Sequence, residues 1–121
     1  MRRRYINMSG KRYKVEPTVM NVIRKFLDEL SRYISIDQVY LYGSYARGDY
    51  LKTSDIDLII ISKDFEDMKY IERLDLMEKI VWRLGLKPHI QAIPYTPKEF
   101  REKIRESFLL IDASKYWIKI K

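Results

Sequence analysis

The chain contains no cysteine, and His89 is its only histidine. The lack of cysteine excludes disulfide bonds, thiolate metal sites and cysteine nucleophiles. A Ser-His-Asp triad or a zinc site with several histidines would have to be built on His89 alone, and its neighbours do not have the spacing of metal ligands. We therefore predict a structural role for His89.

Long apolar runs are also missing, since none approaches the roughly 18 residues that a membrane-spanning helix needs. The N-terminus is charged, but the apolar segment of a signal peptide does not follow it. We therefore expect a cytoplasmic protein with no membrane partner. A chain of 121 residues has room for one domain. We predict that this domain covers residues 16–121 and follows a basic N-terminal arm over residues 1–15.

Acidic residues are in the minority, with 17 against 24 basic ones and a net charge of +7. Such a balance attracts polyanions, which here means a nucleotide, a nucleic acid or an acidic partner surface. Many basic residues lie near the two ends of the chain, where solvated tails explain them equally well. The sequence carries none of the known nucleic-acid-binding motifs, so charge alone supports a nucleic acid partner.

The most informative stretch covers residues 39–62. An apolar run ends at Gly43-Ser44, a short polar segment follows, and Asp55 and Asp57 open a second apolar run. Glycine lets the backbone approach a ligand closely, and the Ser44 hydroxyl and the amides of the following turn can donate to phosphate oxygens. Alternate residues of a strand face the same side, so Asp55 and Asp57 project together. Mg²⁺ is typically held by one or two carboxylates together with phosphate oxygens.

Each of these motifs also has a plain structural explanation. Gly-Ser after a strand is a common turn, and Asp-x-Asp can begin a strand. Their occurrence together, each beside its own strand, favours a site for a metal-bound nucleoside triphosphate. A P-loop is excluded, because Asp49-Tyr50 stands where Lys followed by Ser or Thr is required, and the sequence has no Gly-x-Gly-x-x-Gly fingerprint.

Gly43-Ser44, ten intervening residues and Asp55-x-Asp57 resemble the signature of the polymerase-β-like nucleotidyltransferases. The small size of the chain resembles their minimal nucleotidyltransferase (MNT) branch. This resemblance implies transfer of a nucleoside monophosphate, in the first place AMP, from ATP or another NTP to a hydroxyl group. It also implies that Asp55 and Asp57 are catalytic and hold one or two Mg²⁺ ions, and that Gly43 and Ser44 bind phosphate.

The resemblance extends to three further positions. It makes Arg47 a phosphate contact and Ser54 a supporting residue of the nucleotide site. The family pattern has a third carboxylate on the next strand, but residues 87–93 contain neither Asp nor Glu. Gln91 is the implied occupant of this position, and with His89 it should face the metal. A neutral amide can ligate a cation through its oxygen, but it cannot serve as a general base.

Two functions remain open. In the first, the chain is an MNT-type antitoxin that modifies a hydroxyl of a HEPN-domain toxin. In the second, it is a catalytically weak or inactive nucleotide-binding module that neutralises a partner by direct binding.

The apolar periodicity predicts the order α-β-β-α-β-α-β, and therefore an α/β (α+β) fold with helices packed on a small mixed sheet. Strand 56–61 should be central, Gly85 should end the second long helix and Pro94 the third strand, and Trp82 and Trp117 should pack. A short extended piece is predicted over residues 13–15. The helices are predicted over residues 17–34, 65–84 and 97 to about 113, and the strands over residues 39–42, 56–61, 88–93 and 116–120.

Overall fold

The computed structural model describes residues 4–6, 12–106 and 116–121, and the predicted α+β fold is confirmed. The strands are β1 (Arg4–Ile6), β2 (Arg12–Lys14), β3 (Gln38–Tyr42), β4 (Ile56–Ile61), β5 (Ile90–Tyr95) and β6 (Ile118–Lys119). The helices are α1 (Pro17–Leu30), α2 (Ser44–Arg47), α3 (Tyr70–Leu84) and α4 (Pro97–Glu106), with a 3-10 helix at Lys63–Asp67. The predicted helical residues 107–113 lie outside the described residues.

The main sheet has four strands in the order β5-β4-β3-β6, so β4 is internal, as predicted, and β6 lies at an edge. β3 pairs antiparallel with β4 and β6, whereas β4 and β5 are parallel. In the N-terminal arm, β1 and β2 form an antiparallel pair, and β1 lies beside β6. The sequence pattern did not predict β1. The division into an arm and a domain stays a prediction.

Both faces of the sheet are covered by apolar side chains. α1 and α3 pack on one face, where Leu41, Leu58 and Ile90 belong to the larger core. α4 packs on the other face through Phe100, whose ring stacks on Tyr40 with centroids 5.5 Å apart. Trp117 is fully buried in this second cluster, as predicted. Strand β4 is therefore apolar at almost every position.

Two helix boundaries differ from the prediction. α1 ends at Leu30 instead of residue 34, and Ile34 reaches the core from the turn that follows the helix. α3 begins at Tyr70 instead of residue 65, because the Ser62 hydroxyl accepts a hydrogen bond from the Asp64 amide and starts a separate 3-10 helix. Gly85 ends α3 as predicted, with a φ of 59°.

The prediction that Pro94 ends the third strand is wrong. The Ser62 amide donates to the Tyr95 carbonyl, and the Ile56 amide donates to the carbonyl of His89 just before β5, so the odd-numbered residues of β5 direct their backbone groups to β4. The Pro94 nitrogen therefore faces the outer edge of β5, where the missing amide hydrogen costs no hydrogen bond to β4.

The prediction that Trp82 packs fails for the core, since Trp82 is 74% exposed on α3. Within the described parts of the chain, none of the helices has the length and apolar character needed to cross a membrane.

Candidate active site

Gly43 connects β3 to α2 directly beside Asp57. Tyr42, the last residue of β3, is the register partner of Asp57, so the next residue passes close to the Asp57 carboxylate. Gly43 has φ 74° and ψ −154°, a conformation that is essentially restricted to glycine. A Cβ here would lie 3.2 Å from the Asp57 Cγ and closer still to its Oδ2. The Gly43 backbone therefore lies close to a carboxylate of the same chain, and its approach to a ligand stays a prediction.

Ser44 begins α2 at the same edge of the sheet. The amides of Ala46 and Arg47 donate to the Gly43 carbonyl at 3.1 and 3.0 Å. The Ser44 and Tyr45 amides come before these bonds in the chain and, like the first amides of any helix, have no acceptor within the helix. These two amides and the Ser44 hydroxyl are donors suited to phosphate oxygens.

Asp55 and Asp57 lie at the start of β4, with Asp55 exposed and Asp57 partly buried. Burial is the main cause that raises the pKa of Asp57, and the charge of Asp55 raises it further, whereas Arg47 acts in the opposite direction. The two carboxylates therefore repel each other at neutral pH. A divalent cation would relieve that repulsion.

Gln91 lies in β5 as the register partner of Asp57. Partners in adjacent parallel strands direct their side chains to the same face, so the Gln91 amide lies next to the Asp57 carboxylate. In the parts of the chain that the structure describes, no three His, Cys, Asp or Glu side chains form a group that could hold a metal. Two carboxylates and one amide oxygen still suit Mg²⁺ that is bound together with phosphate.

Arg47 and Ser54 lie on either side of the loop between α2 and β4. Arg47 is exposed and pairs with Asp49 at 3.2 Å, and its charge acts on Asp57. The Ser54 hydroxyl accepts a hydrogen bond from the Leu51 amide at 2.8 Å, and the Ser54 amide donates to the Leu51 carbonyl. Ser54 therefore closes this loop, and its own hydroxyl hydrogen is still available to a ligand.

His89 does not face the metal side of the sheet, so that expectation is wrong. Its Nε2 lies 3.3 Å from the Glu78 Oε1, and its ring packs edge-on against Trp82 at 6.3 Å. Both partners belong to α3. Because β5 begins only at Ile90, the alternation of faces does not extend back to His89. These contacts agree with the structural role predicted for it.

A family model described as a nucleotidyltransferase domain matches residues 23–120. The chain belongs to the nucleotidyltransferase domain family. This finding confirms the resemblance drawn from Gly43-Ser44 and Asp55-x-Asp57 and the prediction of a nucleotidyltransferase. Among relatives from Methanocaldococcus jannaschii, "Putative protein adenylyltransferase MJ0604" is 39% identical over 88 residues, which cover 71% of this chain and 82% of the relative. "Putative protein adenylyltransferase MJ0141" is 32% identical over 93 residues, which cover 75% of this chain and 88% of the relative.

The fold of this nucleotidyltransferase domain is shared with solved structures. A crystal structure described as "a putative nucleotidyltransferase from Sulfolobus solfataricus" superposes with a TM-score of 0.51 at 24% identity, covering 72% of this chain and 80% of that chain. At this identity the likeness shows the fold alone.

The sequence reading missed a group of tyrosines beside Asp57. Burial, followed by the Asp57 charge and the Tyr95 and Tyr70 hydroxyls, raises the pKa of Tyr42. These hydroxyls therefore face the same region of the nucleotidyltransferase domain. Tyr42 and Tyr95 are strand residues at positions that alternate with core residues, which is the signal that could have placed them on the face of Asp57.

Proposed function

We propose that this nucleotidyltransferase moves AMP from ATP to a hydroxyl group of a partner protein in a Mg²⁺-dependent reaction. The proposed partner is a HEPN-domain toxin. The observation that carries the proposal is the contact between the Gly43 backbone and the Asp57 carboxylate. It brings the first amides of α2, which are suited to phosphate, next to the carboxylate pair, which is suited to the metal.

The residues have separate roles in this reaction. The amides after Gly43, the Ser44 hydroxyl and Arg47 bind the outer phosphates, while Asp55, Asp57 and the Gln91 amide oxygen hold Mg²⁺. When bound, the metal neutralises phosphate charge and lowers the pKa of the acceptor hydroxyl.

In the transfer, the hydroxyl oxygen bonds to the α-phosphorus, the bond from that phosphorus to the bridging oxygen breaks, and pyrophosphate leaves. The hydroxyl proton passes to solvent or to a base on the partner, because Gln91 cannot accept it. Positioning and charge stabilisation are therefore the main contributions of the enzyme.

Two kinds of support favour the proposed nucleotide and the proposed acceptor. The names of both M. jannaschii relatives describe protein adenylylation, which supports ATP as donor and a protein as acceptor. The resemblance to MNT antitoxins supports a HEPN-domain toxin as that protein.

Transfer of label from ATP tests this function directly. The protein is incubated with α-labelled ATP, Mg²⁺ and the HEPN-domain protein, and the label on that protein is measured. Asp57→Asn should lower the rate at least about 100-fold, since even groups that only support a metal ligand are worth 10- to 100-fold. Asp67→Asn, which changes an exposed carboxylate of the 3-10 helix, is the control. Equal labelling by the Asp57 and Asp67 variants would contradict an active site at Asp57.

Gln91 favours the second candidate, a nucleotide-binding module that neutralises its partner by contact. If this candidate is correct, Asp55→Ala leaves the affinity for the partner unchanged, and neither the natural chain nor Gln91→Asp transfers label. If transfer is the function, Gln91→Asp retains or increases it, because a third carboxylate then lies beside Asp57.

A further inference from the structure

A cavity of about 330 Å³ lies between the end of β5, the start of α3 and one side of α4. Its wall combines aromatic rings with carboxylates and one ammonium group. The lining residues are Tyr70, Tyr95, Glu99, Glu102, Lys103 and Glu106.

The charge of this cavity is opposite in sign to that of the molecule. Glu99 is neutralised by the Arg73 guanidinium at 2.6 Å. Glu102 and Glu106 have no ion-pair partner among the described residues, and Lys103 is the only cation in the lining. Two carboxylates with no ion-pair partner in the described part of the chain therefore stand against one ammonium, in a chain whose net charge is +7. A cationic group that the rest of the surface repels would be attracted here.

The aromatic wall independently indicates a cationic ligand. The Arg73 guanidinium lies 5.9 Å from the centre of the Tyr70 ring while it pairs with Glu99. Residues of this wall thus already bind one guanidinium through a ring face and a carboxylate. Tyr95 offers a second ring, and Glu102 and Glu106 offer two further carboxylates.

The cavity opens on the face of the sheet that carries the candidate active site. Gln91, Ile93 and Tyr95 alternate along β5 and share one face, and Gln91 is the register partner of Asp57. Gln91 and Tyr95 are four strand residues apart, which corresponds to about 13 Å. An extended peptide on this face would reach the cavity with one residue while another, about four positions away, lies beside Asp57.

We propose that this cavity binds a lysine or arginine side chain of the acceptor protein and so selects a hydroxyl about four extended residues from that cation. The inference rests on the proposed function, because it takes the site at Asp57 as the place of transfer. It adds a rule for acceptor choice that the carboxylates and the phosphate-binding turn do not supply.

Synthetic peptides test the rule. Each contains one tyrosine, with arginine four residues before or after it, arginine directly adjacent to it, or glutamate in place of the distant arginine. Dissociation constants are measured by fluorescence anisotropy, with and without Mg²⁺ and a non-hydrolysable ATP analogue. A peptide with the distant arginine should bind at least about tenfold more tightly than its glutamate counterpart and the adjacent-arginine peptide.

Charge reversal separates the cavity from general electrostatics. Glu102→Lys combined with Glu106→Lys should reverse the preference, so that the glutamate peptide binds more tightly. Asp28→Lys combined with Glu66→Lys changes the net charge equally at exposed positions outside the cavity, and it should keep the preference for arginine. Gain of binding by the glutamate peptide cannot result from unfolding.

The outcomes distinguish this inference from the function on which it rests. If the ATP analogue binds and Asp55→Ala weakens it, but the peptides bind without regard to charge, the cavity proposal is overturned alone. Equal loss of the arginine preference in both double variants overturns it as well. If the analogue does not bind, the proposed function fails, and the peptide affinities measured without nucleotide still decide whether the cavity binds cations.

Discussion

Gly43 is the residue whose replacement tests the geometry of the candidate site most directly. Its backbone conformation is costly for any other residue, and a Cβ would collide with the Asp57 carboxylate. We expect Gly43→Ala to lower the free energy of unfolding by about 1–3 kcal/mol and to abolish detectable ATP binding. Urea unfolding and isothermal titration with ATP and Mg²⁺ measure the two effects.

Gly85→Ala is the matched control for this replacement. Gly85 also has a positive φ, 59°, but a Cβ there would have no atom of the described chain within 4 Å. Its replacement should cost a similar free energy of unfolding while ATP affinity stays within about twofold of that of the natural chain. Loss of ATP binding in both variants would mean that general destabilisation, and not the displacement of Asp57, is responsible.

At the scale of elements, the start of α4 is linked to α3 through one carboxylate. Glu99 Oε1 accepts hydrogen bonds from the Thr96 amide at 2.8 Å and from Arg73 at 2.6 Å, and the Thr96 hydroxyl accepts from the Glu99 amide. This reciprocal pair caps the helix at the position that the sequence predicts. The Arg73 side chain is only 7% exposed, so Glu99 also balances a buried charge.

We expect Glu99→Ala to lower the free energy of unfolding by about 2–3 kcal/mol, because it removes a cap and leaves Arg73 without its anion. Thr96→Ala removes only part of the cap and should cost about 1 kcal/mol. Combining Arg73→Met with Glu99→Ala should recover part of the loss, as measured by urea unfolding. Equal costs for the two single variants would show that the ion pair adds nothing beyond the cap.

The contribution of Glu99 to the free energy of unfolding should also depend on pH. Desolvation acts to raise the pKa of Glu99, but the hydrogen bond from the Thr96 amide and the hydrogen bond and charge of Arg73 outweigh it and lower that pKa. A carboxyl whose pKa is lowered in the folded state stabilises the fold above its ordinary pKa and loses this effect as the pH falls. The difference between the natural chain and Glu99→Ala should therefore shrink in acid.

At the scale of the molecule, patterns within one element predicted the fold, and contacts between elements account for what they missed. The apolar runs at β3 and β4 predicted strands because strands covered on both faces have few polar positions. Gly43-Ser44 and Asp55-x-Asp57 predicted the parts of the site, since each motif needs only its own strand end. Gln91 could be placed because alternation along β5 is local as well.

The predictions for Pro94 and His89 failed because they depended on neighbouring elements. Pro94 is compatible with β5 because β5 is an edge strand of the sheet that the structure describes, and strand order cannot be read from the residues of β5 alone. Trp82 lies on the side of α3 opposite to the buried residues Arg73, Met77 and Ile80, so it is exposed. His89 turns to α3 because β5 starts one residue later. The outcomes at Pro94 and His89 thus depend on elements other than β5.

The site also affects the stability of the whole molecule. Burial and the charge of Asp55 raise the pKa of Asp57, so the folded state disfavours its ionised form. A carboxyl with a raised pKa contributes its full stability only below its ordinary pKa, and the fold loses that contribution as the pH rises through the raised value. At neutral pH, the raised pKa of Asp57 therefore predicts a lower stability of the protein, as the proposed binding role would imply.

We expect Asp57→Asn to raise the melting temperature at pH 7 by a few degrees, because it removes this ionised carboxylate. The gain should vanish below the ordinary carboxyl pKa of about 3.9, where Asp57 is protonated in both folded and unfolded chains. Thermal unfolding from pH 3 to pH 8 measures the gain in melting temperature at pH 7 and its disappearance in acid. Asp67→Asn removes an exposed negative charge from the same basic protein, and it corrects for the general effect of charge.

Adding Mg²⁺ with ATP should reverse the order of the two melting temperatures at pH 7, so that the natural chain melts above Asp57→Asn. Ligands that bind only the folded state stabilise it, by about 2.7 kcal/mol at 100 times the dissociation constant. The natural chain should therefore melt at a higher temperature when both are added, and Asp57→Asn should respond weakly, since it has lost one of its two carboxylates. A lower melting temperature for Asp57→Asn at pH 7 without ligand, or an equal response of both proteins to Mg²⁺ with ATP, would contradict a strained cation site at Asp57.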